Sequence, residues 1–417
     1  MELLAKISIV VLAVLAVGQT ALVCGFVRKL AGWRQPRLPD EKCPPAVVIL
    51  CLRGTDPFLS RCIDAILDQD YPRYELRIIV DHPDDPARAV AEASLANRPH
   101  APARLEFLRE RRESCSLKCS SVVQAMRGLD PTVEFVAQLD ADTIPHRTWL
   151  RELAAPFQDG KVGAATGNRW YMPEQPSWGA LVRYVWNAAA VVQMYWYRIA
   201  WGGTLAVRAS ILRDSDLLER WGQAFCEDTM LFRVLGQQGM RVEFVPSLMM
   251  VNRENCSLTG FVRWMRRQLL TARLYHPRWP AVVAHGIGTS LALAAALVVA
   301  AWGALQGQMQ TAAWLLGALA IYEGLMIGAV VWIELRMRAI VAARGEPTSW
   351  IDGKTGLYWL LAYPVLQFTY PWVLLAAMRF RQVEWRGVTY AVDGPWQIRL
   401  TKYEPFAASR ESTLTSL

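Results

Sequence analysis

The chain lacks the glycine-rich loops with which many α/β proteins cradle phosphates. It has no GxxxxGK[ST], and no GxGxxG follows its first expected strand. Any phosphate it binds must then be neutralised by a metal ion and by separate Lys or Arg side chains. Zinc-ligand spacing is missing too: Cys115 and Cys119 have no second pair, which argues against a zinc site. The eight cysteines are scattered, as suits a reducing compartment. No nucleic-acid-binding module is recognisable, so nucleic acid is not expected as a partner of this chain of net charge +8. Charge is nearly absent from four long apolar runs, where His285 and Glu323 alone interrupt. That is too little for the ionisable pathway of a transporter, which would also leave a large polar interval unexplained.

The hydrophobic fraction, 53%, is high and clumped. The runs Ile7–Val27, Ala281–Leu305, Thr311–Ile333 and Gly356–Met378 have the length and composition of membrane segments. The expected organisation is an N-terminal membrane helix (1–28), a water-facing α/β domain with interfacial helices (29–280), C-terminal membrane segments (281–378) and a cytosolic tail (379–417). The first run is longer than a secretory signal core, and Arg28, Lys29, Arg34 and Arg37 follow it. The positive-inside rule therefore holds the α/β domain in the cytoplasm, as in a bacterial inner membrane or its equivalent. By the same rule Arg336, Arg338 and Arg344 return inside after the third run. A full fourth span would strand Arg379, Arg381 and Arg386 outside. Pro364 and Pro371 break that run, so a re-entrant or interfacial segment with a cytoplasmic C-terminus is expected. Basic clusters at Arg336–Arg344 and Arg379–Arg386 suit anionic headgroups; those at Arg109–Arg112 and Arg263–Arg267 lie in the polar interval, where an anionic substrate is expected.

Within that interval "AVVILCLRG" (Ala46–Gly54) reads as a buried strand ending in a Gly turn. A helix follows, stopped at Tyr71-Pro72. Tyr74–Asp81 is the next strand, then a helix over 86–96, a strand over 103–108 and a helix over 118–129. "EFVAQLDADTIP" (Glu134–Pro145) ends a further strand on two carboxylates, Asp140 and Asp142. The β-α-β order predicts a mostly parallel, Rossmann-like sheet with helices on both faces. Ligands bind at the carboxyl ends of such strands, where Gly54, Asp81, Asp140 and Asp142 fall. Carboxylates so close repel unless a divalent metal, a basic side chain or water separates them. Mg²⁺ or Mn²⁺ suits this oxygen pair and a bridging diphosphate; a solvated turn is the alternative. In "AFCEDTMLFRVLGQQG" a helix is expected to begin at Glu227-Asp228, where the acids alone would complement its N-terminus. Gly202-Gly203 suits either close backbone approach to a sugar or a plain turn.

The stretch "LRGTDPFLSRCIDAILDQDYPRYELRIIVDHPDDPA" resembles the opening of ceramide glucosyltransferase-like enzymes. These are membrane glycosyltransferases of the inverting family 2 and family 21 type, with a GT-A fold. "SLKCSSV", "LDADT", "WGGTLAVRAS", "FCEDTMLFRVL", "FVRWMRRQ" and "VEWRGVTY" match in order, over nearly the whole chain. The resemblance implies a single sugar, glucose from UDP-glucose, moved to a lipid hydroxyl such as that of ceramide or diacylglycerol. It assigns the nucleotide-sugar to Arg53, Gly54, Asp81, Lys118, Asp140, Gly203, Glu227, Arg263, Arg266 and Arg267, the metal to Asp140 and Asp142, and the base role to Asp228. Arg263, Arg266 and Arg267 fall on the (Q/R)xxRW motif, but Arg267 stands in place of its Trp. A processive polysaccharide synthase is the nearest rival; it should need more membrane helices for a polymer channel and an intact motif. A catalytically dead scaffold need not keep Asp140, Asp142, Asp228 and Lys118 together. The aromatic interval from Trp170 to Trp201 reads as an interfacial helix, with a buried core as the plainer alternative.

Overall fold

The computed structural model describes residues 1–34, 38–173, 177–348 and 353–406; Arg37 and the last eleven residues of the expected tail, 407–417, lie outside them. In chain order the strands are β1 (Ala46–Leu52), β2 (Tyr74–Val80), β3 (Ala103–Phe107), β4 (Phe135–Leu139), β5 (Val162–Tyr171), β6 (Thr204–Arg208), β7 (Arg241–Asn252), β8 (Gln382–Trp385), β9 (Val388–Gly394) and β10 (Gln397–Tyr403). The helices are α1 (Glu2–Ala31), α2 (Leu59–Leu67), α3 (Ala87–Ala96), α4 (Leu117–Ala125), α5 (Trp149–Ala154), α6 (Trp178–Tyr197), α7 (Ala209–Asp214), α8 (Leu217–Trp221), α9 (Leu231–Gln237), α10 (Leu258–Tyr275), α11 (Trp279–Leu305), α12 (Met309–Ala343) and α13 (Gly353–Arg379).

The main sheet has the order β3-β2-β1-β4-β6-β5-β7. β1 to β4 run parallel to one another, and β6 runs antiparallel between β4 and β5. β1 is buried on both faces, which is why it reads as an unbroken apolar run. Val47 and Ile49 join one core with α4, α8 and α9, while Val48 and Leu50 join a second with α2 and α5. α2 covers its face with Leu59, Cys62, Ile63 and Ile66, one helical stripe. Each such fully buried Leu or Ile contributes roughly 1.5–3 kcal/mol. All four parallel strands therefore end at one rim.

Four helices, α1, α11, α12 and α13, are long and apolar enough to cross a membrane. α6 lies between the sheet and this bundle: it packs on β5, α10, α12 and α13. Tyr184 and neighbouring Trp170 are fully buried there and both donate to Glu334 of α12 at 2.8 Å. Only Trp178 and Trp196, at its two ends, stay 45% exposed. The aromatic interval is thus mostly a core roofed by the chain's own helices rather than an open interfacial face.

α13 is one helix with both prolines inside it. Near its start Tyr358 meets Trp178 of α6, ring centroids 5.4 Å apart. At its end the Ala377 and Met378 carbonyls each accept from Arg273 of α10 at 2.7 Å. Between these ends Gln367 donates to Glu323, halfway along α12, at 2.7 Å. Both ends thus meet helices of the α/β domain while the middle reaches into the bundle. The expected tail is also structured: β8, β9 and β10 form an antiparallel sheet. Arg386 pins it to the rim, pairing with Asp56 at 2.5 Å and donating to the Arg53 carbonyl.

Candidate active site

The rim opens into a cavity of about 240 Å³ lined by Arg53, Asp81, Lys118, Asp140, Asp142, Gly203, Glu227, Asp228 and Arg267. Sequence-distant residues meet here because each follows a strand or opens a helix beside the rim. Ser116 caps α4 by accepting from the Cys119 N–H at 3.2 Å, which sets Lys118 in the first turn. From there Lys118 Nζ pairs with Asp140 and with Glu227, each at 2.7 Å. Burial alone would push the Asp140 carboxyl up, but Lys118 and Arg169 outweigh it and hold it below the ordinary value. Glu227 goes the other way: burial raises it against the pull of Lys118.

Asp142 has no basic partner within ion-pair distance among the described residues; the Thr143 hydroxyl donates to it at 3.2 Å. Burial, and then the Asp140 charge, push its carboxyl up to about 7. A raised acid beside a lowered one marks a carboxylate pair short of positive charge.

Asp228 is held differently. The Gly202 N–H donates to one oxygen at 2.8 Å and the Thr229 N–H to the other at 2.6 Å. Those bonds fix its direction. α9 starts at Leu231, three residues later than expected, so Glu227 and Asp228 sit in the turn before it rather than at the helix start. The glycine pair is explained by close packing. A Cβ on Gly202 would overlap the Glu227 carboxylate, and one on Gly203 would overlap the Trp201 ring and lie 2.7 Å from Asp140.

Arg53 pairs with Asp81 and donates to the Glu404 carbonyl at 2.5 Å. The Tyr403 hydroxyl also donates to Asp81, at 3.1 Å. The other Asp81 oxygen, buried, has no partner among the described residues. Gly54 does not line the cavity; its φ of +71° lets it turn beneath the Phe406 ring, where no Cβ fits.

Of the three arginines of the "FVRWMRRQ" stretch, only Arg267 lines the cavity. Arg263 is exposed, and Arg266 lies over the Phe380 ring at 4.2 Å. Trp264, Arg267, Gln268 and Thr271 form the inward face of α10, and all four line the cavity. Burial, with Arg169 and Arg386 nearby, lowers Arg267 to about 10. None of the residues 109–112 lines the cavity; Arg111 stacks on Tyr403 at 4.2 Å.

Arg169 escaped the sequence reading, and Trp385 was not singled out within its stretch. Arg169, on β5, stands 3.9 Å from Asp140, over the rings of Trp201 at 4.8 Å and Trp264 at 5.6 Å. Trp385, from the C-terminal sheet, lies under both Arg267 and Arg386. The only sequence signals were the alternation along β5 and the position of "VEWRGVTY" near the end.

A second cavity, about 260 Å³ and mostly apolar, runs between α1, α6, α11, α12 and α13. Arg169, Trp201, Asp228, Trp264, Gln268 and Thr271 line both cavities. Asp228 therefore stands where a charged chamber meets an apolar one.

The family model for glycosyl transferase family 21 matches residues 9–396. The chain belongs to that family. A stretch of 66 residues is 38% identical to a ceramide glucosyltransferase of Komagataella phaffii, covering 15% of this chain and 13% of that protein. A mannosyltransferase from Pyrobaculum calidifontis, solved with GDP-Man and Mn²⁺, is similar with a TM-score of 0.54 at 20% identity, over 82% of this chain and all but 2% of its own length (98% covered). That likeness shows the shared GT-A fold. The family 21 glycosyltransferase thus carries its carboxylates on the rim of a GT-A sheet.

The donor set fits a divalent cation. No group of three His, Cys, Asp or Glu side chains converges among the described residues, so a fully protein-built cage is not offered. Two hard carboxylates, one of them without a basic partner, suit an ion whose remaining ligands are water and diphosphate oxygens.

Proposed function

We propose that this family 21 glycosyltransferase moves one glucosyl unit from UDP-glucose to the hydroxyl of a membrane lipid such as ceramide or diacylglycerol, with inversion. The observation that carries this reading is the junction at Asp228, shared by the charged cavity and the apolar one. A sugar nucleotide belongs in the first and a lipid in the second, and the reacting hydroxyl meets the sugar between them.

On this reading Asp228, aimed by two backbone amides, takes the proton of the lipid hydroxyl. The oxygen attacks the anomeric carbon from the face opposite the diphosphate. The bond from that carbon to the diphosphate oxygen breaks, and UDP leaves with the electron pair. Asp81 offers its unpartnered oxygen to an N–H of the base. Arg267, Arg169 and Lys118 face the charge that develops on the departing diphosphate. Mg²⁺ or Mn²⁺, held by Asp140 and Asp142, supplies Lewis-acid neutralisation of that same charge when bound. Product analysis tests the reading: incubation with a panel of UDP-sugars and lipids, read by mass spectrometry, should yield a lipid carrying one hexose. A polymer would establish the polysaccharide synthase instead, and transfer only to soluble acceptors would exclude a lipid function.

The topology belongs to the same proposal. α1 ends at Lys29 against Glu243, and Arg344, just past α12, donates to the Ser247 carbonyl, both at 2.7 Å. With both ends of α13 also at the α/β domain, this helix, continuous through Pro364 and Pro371, lies on the cytoplasmic side as an interfacial segment and not as a broken re-entrant one. Thr401→Cys should react with an impermeant thiol reagent only from the cytoplasmic face of sealed, oriented vesicles. Labelling from the opposite face alone establishes a fourth full span.

A further inference from the structure

The apolar cavity carries a polar chain built from residues of four helices. The Tyr322 hydroxyl (α12) stands 2.7 Å from Gln19 Oε1 (α1). The Gln19 amide nitrogen lies 3.0 Å from His285 Nε2 and 3.2 Å from Thr289 Oγ1 (both α11). On the other side of the ring, Gln193 Nε2 (α6) stands 2.9 Å from His285 Nδ1. All five side chains line the cavity.

The direction of the protons along this chain follows from its buried end. Tyr322 is 2% exposed and makes no other hydrogen bond among the described residues. Its O–H must donate to the Gln19 carbonyl, since a buried donor left unmade costs about 1–3 kcal/mol. The Gln19 NH₂ then faces the ring and donates to His285 Nε2. A neutral imidazole that accepts at one nitrogen donates at the other, so Nδ1 carries the proton. Two NH₂ groups cannot both donate to one neutral ring, so the Gln193 amide is turned over, its carbonyl taking the position that faces Nδ1 and accepting the proton. With its carbonyl toward the ring, Gln193 turns its NH₂ to the cavity that it lines. Both alternatives, a reversed chain and a charged imidazole, turn the Gln19 NH₂ toward Tyr322 and strand the Tyr322 proton.

We infer that Gln193 is a specificity-determining residue, whose amide N–H donates to an acyl carbonyl of the lipid acceptor. His285, Gln19 and Tyr322 are positioning residues that hold the amide in this sense. The inference rests on the lipid reading of the site and deepens it. The cavity selects lipids that carry an amide or ester C=O near the reacting hydroxyl, against alkyl analogues of equal length. A site with a buried donor rejects the analogue that cannot satisfy it.

The test uses two matched pairs: diacylglycerol with its dialkyl ether, and ceramide with the analogue whose amide C=O is replaced by CH₂. Each is presented in mixed micelles to the full-length protein. Wild type should favour the acyl member of at least one pair by about tenfold in kcat/KM. Gln193→Leu should bring that ratio close to one. Tyr322→Phe, which frees Gln19 to turn over, should lower the ratio too. Each ratio is taken within one preparation, so the folded fraction cancels. Equal use of both members by wild type, or an undiminished ratio in Gln193→Leu, overturns the inference and leaves lipid glycosylation standing. Turnover of soluble acceptors with no lipid used overturns both.

Discussion

The two cavities that meet at Asp228 are nearly equal in size and opposite in construction. The outer one is built at strand ends and filled with opposed charges, Lys118 alone pairing with two carboxylates. The inner one is built between helices, and Gln19, Gln193, His285 and Tyr322 form a hydrogen-bonded chain in its wall. A charged chamber wants a charged ligand to complete it; a mostly apolar chamber with a donor in its wall tolerates a lipid and reads one atom of it. The boundary between them is where a glycosyl acceptor must lose its proton. Substitutions on each side should therefore fail in different ways.

Asp228 lies on the boundary, so its loss should be the most damaging. Asp228→Asn is nearly isosteric and keeps an oxygen for one of the two backbone amides. Transfer should fall by about a thousandfold, the weight of a positioned general base, while UDP-sugar affinity stays within a few-fold. Titration calorimetry with donor, beside single-turnover transfer, separates the two. Lost donor affinity with normal turnover at saturation would move Asp228 to the donor side of the boundary.

One step outward, Asp140→Asn and Asp142→Asn should each cost about a hundredfold or more in turnover by weakening the hold on a divalent cation and diphosphate. Unlike Asp228→Asn, these variants should weaken metal-dependent donor binding. Chelation with EDTA should imitate them, and added Mn²⁺ should restore the wild type alone. Full activity in EDTA, with both variants unimpaired, would leave Lys118, Arg169 and Arg267 to neutralise the diphosphate unaided.

The outer cavity was the legible one. Its carboxylates sit at the ends of apolar runs such as "FVAQL", and a buried parallel strand delivers whatever follows it to the rim. The strand and helix order from β1 to β4 was readable for the same local reason. Arg169 was not, because β5 pairs with β6 and β7 from elsewhere in the chain and nothing near "GNRWY" announces that partnership. The arginine cluster was readable as a cluster but not as a face. Helical spacing separates the inward row Trp264, Arg267, Gln268 and Thr271 from Arg263, and only docking against the rim decides which row is inward. The inner cavity was illegible altogether. Gln19, Gln193, His285 and Tyr322 come from four helices, and each alone is an ordinary polar residue in an apolar stretch. The apolar runs themselves were plain, since membrane length and low charge are local properties.

The finest difference between the chambers is their response to pH. In the outer cavity the Asp142 carboxyl is pushed up to about 7, by burial first and by Asp140 second. The direction is that of an acid whose proton stays on until near neutrality. Above that value the site is ready for a cation; below it the cation must displace a proton. Apparent Mn²⁺ affinity should therefore be flat above about pH 7 and fall by about tenfold for each unit below it. Asp142→Asn, which has no proton to lose there, should bind weakly and without that slope. Mn²⁺ binding followed by electron paramagnetic resonance from about pH 5.5 to about 8 reads both curves over the range where a raised carboxyl titrates. A wild-type slope equal to that of Asp142→Asn would assign the proton to another group. Glu227, raised by burial yet paired with Lys118, is the next to replace, and Glu227→Gln would then remove the slope that Asp142→Asn had left in place.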